Sequence, residues 1–102
     1  MSGDDPQFGY GAGQRPLWTV RDRDAEAIRA VLRKAGRREF SERHGGFVVE
    51  GGESGGPFAI ACSDDGVSAQ ELARYEEVLC AAGYRVELDP DDDQVLRVWP
   101  IA

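Results

Sequence analysis

From Asp22 the apolar positions fall at three- and four-residue steps, so Ala25, Ile28, Val31, Leu32 and Ala35 share one face of a helix. Asp22 or Asp24 is placed to cap its start, and Gly36 supplies a left-handed stop. Beyond Gly36 the period shortens. Three runs read as strands, at residues 38–42 (REFSE), 46–50 (GFVVE) and 57–62 (PFAIAC). Turns fall between them at His44-Gly45 and in the glycine-rich stretch Gly51–Pro57. Ser68 to Glu71 has the form of a capping box, and the helix it opens turns Leu72, Tyr75, Leu79 and Ala82 inward before stopping at Gly83. Tyr84 to Leu88 then alternates with period two, as a half-buried strand does. Asp89–Asp93 makes a turn, and Val95–Trp99 returns as the last strand.

Ahead of these elements, residues 1–16 hold four Gly, two Pro and little that packs, the composition of a flexible tail. Leu17–Val20 reads either as an edge strand or as the lead-in to the first helix. Residues 17–102 then form a single domain ordered helix, strands, helix, strands. Val31-Leu32-x-x-Ala35-Gly36-x-Arg38 recurs 47 residues later as Val78-Leu79-x-x-Ala82-Gly83-x-Arg85. Duplication and convergence on one helix-stop signal both account for that repeat. Neither αββ half buries its apolar face alone. The expected fold is therefore a two-layer α+β sandwich, with two helices on one face of an antiparallel sheet of four to six strands. It is built either as an αββ duplication or, if 17–20 is a strand, as a ferredoxin-like variant.

Residues 71–100 carry the pattern x-L-x-x-Y-x-x-x-L-x-x-A-G-Y-x-V followed by a hairpin, on Leu72, Tyr75, Leu79, Ala82, Gly83, Tyr84 and Val86. This resembles small actinobacterial proteins carried by plasmids and integrative elements, over roughly the last third of the chain. The resemblance implies an α+β module and brings no catalytic residues with it.

Composition narrows the class. A chain of 102 residues with 41% apolar and 30% charged positions makes one globular domain with a modest core. No apolar run approaches the roughly 18 residues that span a bilayer. The acidic start MSGDD has no apolar segment behind it, so a cytoplasmic protein away from membranes is expected. Cys62 and Cys80 are too few for a disulfide framework and match no zinc spacing, so both read as free thiols. Basic charge is nearly all Arg, Lys34 being the only lysine; coding bias in a GC-rich genome explains that choice as well as function does. The net charge of −7 divides unevenly: residues 1–43 carry nine basic and seven acidic side chains, residues 44–102 three and twelve. A second half at −9 opposes broad nucleic-acid binding and suits docking on a basic partner.

Four constellations invite chemistry. Gly51–Pro57, GGESGGP, contains G-x-S-x-G around Ser54, but a strand follows where a hydrolase elbow needs a helix. The only histidine, His44, precedes Ser54, and a serine without a base is a poor nucleophile. His44-Gly45-Gly46 has the look of an oxyanion loop and equally of a turn. Asp89, Asp91 and Asp93 occupy positions 1, 3 and 5 of a calcium loop whose sixth and twelfth positions are Gln94 and Pro100, so the set reads as a solvated turn. Arg29, Arg33, Arg37, Arg38 and Arg43, with Lys34, make a basic segment: an ordinary charged helix face, or an anion or partner contact. Cys80 sits beside Ala69 and Ala73, an edge suited to close approach of the first helix. Trp18 and Trp99 are the candidate interface anchors.

The leading expectation is a non-enzymatic protein-binding or regulatory module, of inhibitor, immunity or adaptor type, using no cofactor or metal. Its partner is a protein with a basic surface, and a homodimer through a sheet edge is a further expectation. The alternative is nucleic-acid binding through the five arginines; the third is a serine hydrolase through Ser54.

Overall fold

A computed structural model describes residues 5–51, 56–64 and 66–101. Its elements run α1 (Val20–Lys34), β1 (Phe47–Gly51), β2 (Phe58–Cys62), α2 (Ser68–Ala81), β3 (Arg85–Asp89) and β4 (Asp92–Trp99). The four strands form one antiparallel sheet in the order β1-β2-β4-β3, which makes two αββ halves joined by their inner strands. Leu17–Val20 is the lead-in to α1 and not a strand, so the ferredoxin-like alternative falls away. Thr19 caps the helix: its hydroxyl accepts from the Asp22 amide at 3.0 Å, and Asp22 accepts from the Thr19 amide at 3.1 Å.

Strand alternation separates the two faces of the sheet. Phe47, Phe58, Ile60, Leu96 and Val98 point to one side, where Ile28 and Leu32 of α1 and Leu72, Tyr75 and Leu79 of α2 complete a single core. Both helices therefore cover one face, and the architecture is the expected α+β sandwich. The opposite face carries no helix. Along it run Val48–Ala61–Val95 in one cross-strand row, Glu50–Ala59–Arg97–Glu87 in the next, and Trp99–Arg85 beyond.

Two helix stops work as the sequence repeat implies. Gly36 and Gly83 adopt φ of +83° and +96°, and the next amides, of Arg37 and Tyr84, return to the Leu32 and Leu79 carbonyls. Other local expectations are corrected. REFSE is not a full strand; Glu39 alone makes a parallel bridge to Phe47, and Ser41 turns back on His44. Its side chains alternate too polar a set to pack on both sides, and the Gly45-Gly46 turn follows too soon for a long ladder. The Ser68 capping box does not form either. Val67 is the cap residue of α2, the Ser68 hydroxyl donates to Gln94 Oε1, and Glu71 is held by Arg37.

Residues 8–17, whose composition suggests a tail, close into a loop. Amides of Phe8 and Leu17 bond to the carbonyls of Leu17 and Gly9, and Tyr10 bridges Pro16. Leu17 is buried, and the Ala12 amide donates to Glu26 of α1.

Candidate functional site

The basic segment is the first place to look, and most of it is consumed by carboxylates. Glu26 accepts from Arg29 at 3.0 Å, from Arg15 at 3.3 Å and from Arg33; Glu39 accepts from Arg15 and Arg33, both at 2.9 Å. Arg29 is not on an open helix face but 9% exposed, lying toward β1 beneath this network. Burial pushes the Glu26 carboxyl up, but hydrogen bonds from Arg33, the Ala12 amide and Arg29 outweigh it and hold the carboxyl below its usual range. The same pairing raises Arg33, against the opposing pull of its own partial burial. Arg37 leaves the helix end to meet Glu71 of α2 at 2.8 Å, and Arg38 Nε donates to the Gly45 carbonyl at 3.1 Å. Arg43 is exposed at the Ser41–His44 turn. The five arginines are therefore spread over three separate settings.

A cleft of about 480 Å³ opens where the C-terminal end of α1 meets the N-terminal end of α2. Arg37, Arg38, Cys62, Asp64 and Glu71 line it, so cations and carboxylates balance across its walls. The glycine pair is what lets the chain cross here: a Cβ on Gly46 would collide with the Arg38 carbonyl. Tyr75 lies fully buried beside this cleft, with no hydrogen-bond partner for its hydroxyl among the described residues. Burial pushes its phenol up, and the neighbouring Cys62 and Glu71 add to the shift, so the group stays protonated. The Cys62 thiol makes a long 3.9 Å contact with the Asp64 carbonyl and packs against the core, and the exposed His44 ring faces the Gly45 carbonyl at 3.2 Å. Ser54 lies outside the described residues, and among them no three His, Cys, Asp or Glu side chains gather as a metal set.

A second concavity, about 220 Å³, lies between α2 and the tip of the β3–β4 hairpin. Its walls are apolar, from Ala69, Leu72, Ala73, Leu88 and Leu96, while Glu76 and Asp93 stand on its rim. Leu88 lies on the core side of the sheet by register, yet it is 54% exposed on the edge strand β3. The aspartates next to it build the turn itself: Asp89 accepts from the Asp91 amide at 2.8 Å, and Asp92 from the Gln94 amide at 2.9 Å. Those carboxylates cap backbone groups at the surface and leave an acidic lip around an apolar hollow. The acidity was readable in the sequence; the hollow was not, because it depends on where α2 ends over the sheet.

Of the two tryptophans, Trp18 is half exposed just ahead of α1. Trp99 lies on the helix-free face of the sheet, with the Arg85 guanidinium 4.2 Å and that of Arg97 5.4 Å from its ring centre. Cys80 is exposed on α2. No helix among the described residues is long and apolar enough to cross a membrane. No protein-family model, no curated protein and no solved structure matches the chain.

Proposed function

We propose that this protein is a non-enzymatic protein-binding module that takes a basic, amphipathic partner segment in the groove between α2 and the β3–β4 hairpin. The observation that carries the reading is Leu88, an apolar side chain left 54% exposed in a hollow rimmed by Glu76 and Asp93. An aliphatic side chain with Lys or Arg on either flank fits that chemistry: the hollow removes the apolar group from water, and the acidic lip attracts the cations. The charge of −9 on residues 44–102 steers such a partner from a distance. Inhibitor, immunity and adaptor proteins act by this kind of docking. Nucleic-acid binding is less well supported, because Arg29, Arg33 and Arg37 are already held by Glu26, Glu39 and Glu71.

The test is a titration of the isotope-labelled protein with a synthetic helical peptide bearing Leu on one face and Lys beside it. Amide shifts are expected to cluster at Ala69, Ala73, Leu88 and Gln94. They should weaken as salt rises and disappear in Leu88→Lys. Shifts that map to the arginine network, or no shifts at all, would count against the groove.

A further inference from the structure

The helix-free face of the sheet supports a separate inference, independent of the groove. Its centre is shallow, because Ala59 and Ala61 on β2 lie between the larger Val48 and Glu50 on β1 and Val95 and Arg97 on β4. Val48, Glu50, Ala59, Ala61 and Val95 line a mostly apolar trough of about 200 Å³ along β2. Across it, in one row, stand a carboxylate and a guanidinium that do not pair with each other. Glu50 and Arg97 pair with Ala59 from opposite sides, and strand spacing separates their backbones by roughly 10 Å. Glu50 has no ion partner among the described residues. Arg97 makes a long 3.5 Å contact with Glu87 and lies 5.4 Å from the Trp99 ring centre, and its Nε has no acceptor among the described residues.

We infer that this face is a homodimer interface, in which a second copy packs sheet to sheet about a two-fold axis lying along β2. That axis exchanges the two flanks of the trough. It sets Glu50 of each copy against Arg97 of the other, Val48 against Val95, and the alanines against themselves, where their small size lets the sheets approach. A two-fold axis across the strands does the opposite: it stacks Glu50 on Glu50 and Arg97 on Arg97. Charge therefore selects the axis. Aligned packing of two twisted sheets allows it, since a tilt of about 15° for each copy gives the usual crossing near 30°. The face is only about 15–20 Å on a side, below the area of standard specific interfaces, so association is weak and concentration-dependent. This differs from edge-to-edge pairing: β1 and β3 remain the sheet's outer strands in the dimer.

Sedimentation and light scattering from about 10 µM to about 1 mM cover the range such an interface requires. The wild-type mass should climb from 11.1 kDa toward twice that value. Glu50→Arg and Arg97→Glu should each lose the association, since each sets like charges face to face. The double variant E50R/R97E should regain it, and an equimolar mixture of the two single variants should form a mixed dimer. Circular dichroism checks that every variant is folded. A wild type that stays monomeric throughout, single reversals that associate unchanged, or a mixture that stays monomeric would each overturn the inference. Peptide binding in the groove is read separately and survives any of those results.

Discussion

Glu26 holds three arginines and one backbone amide with a single carboxylate, and it joins α1 to the loop formed by residues 8–17. Removing its charge leaves Arg29 buried beside an uncharged amide, so Glu26→Gln should lower stability by about 2 kcal/mol at neutral pH. The pH dependence follows from the direction of its shift. A carboxyl whose folded value is depressed adds stability that is complete above its unfolded value, near 4.3, and is lost as pH falls through the folded one. Thermal melts should therefore show a constant gap between wild type and Glu26→Gln from pH 6 to 8, closing below about pH 4. A gap that widened in acid would refute the assignment. The arginines themselves were plain in the sequence, as was their place around α1. Their partners were not, because Arg15 and Glu39 stand 24 residues apart and no local pattern links them. Arg29 illustrates the same gap: a helical wheel puts it among solvated residues, while the loop and β1 bury it.

The helices follow their apolar period closely, and their ends do not. Ala25, Ile28, Leu32, Leu72, Tyr75 and Leu79 are buried where the spacing puts them, Ala35 and Ala82 are exposed just past the helix ends, and both helices stop at the expected glycines. The sequence offers Asp22 or Asp24 as the cap of α1, whereas Thr19 takes that role and Asp22 the reciprocal one. Thr19→Ala should accordingly cost about 1 kcal/mol, and Thr19→Ser only a few tenths, read from urea midpoints. Equal loss in both variants would mean the hydroxyl is not the cap. At α2 the Ser68-x-x-Glu71 string satisfies the same rule and forms no box, because Arg37 competes for Glu71. A capping signature fixes a helix start only when nothing distant claims its side chains. The short REFSE segment shows the complementary error, since five residues with one apolar side chain, Phe40, are too little to separate a strand from a single bridge.

At the scale of the molecule, class and layering were legible because both rest on which faces are apolar. Strand order was not, since four antiparallel strands admit several orders with the same alternation. The charge pattern also resolves only in three dimensions. Arg15, Arg29, Arg33 and Arg37 are tied to Glu26, Glu39 and Glu71, while the acidic hairpin turn stays exposed. A mobility-shift assay at low salt should therefore show no retarded DNA or RNA below about 10 µM protein, where a functional phosphate-binding surface would give tight complexes. A shift abolished by salt and by Arg38→Glu would reverse that expectation. The hollow beside Leu88 and the trough over β2 both depend on what the helices leave uncovered, a property no single segment encodes.

The joint between β2 and β4 has a kinetic meaning as well. Each hairpin closes over a short loop, whereas Phe58 meets Val98 and Ile60 meets Leu96 only when chain segments about 40 residues apart are brought together. The two αββ halves can begin to form their own turns early, but neither has a complete core until that pairing zips shut. Folding speed in this chain should thus be governed by the central pair of strands, and changes at Ile60 should slow refolding more than changes at the Asp89–Asp92 turn, which should chiefly hasten unfolding.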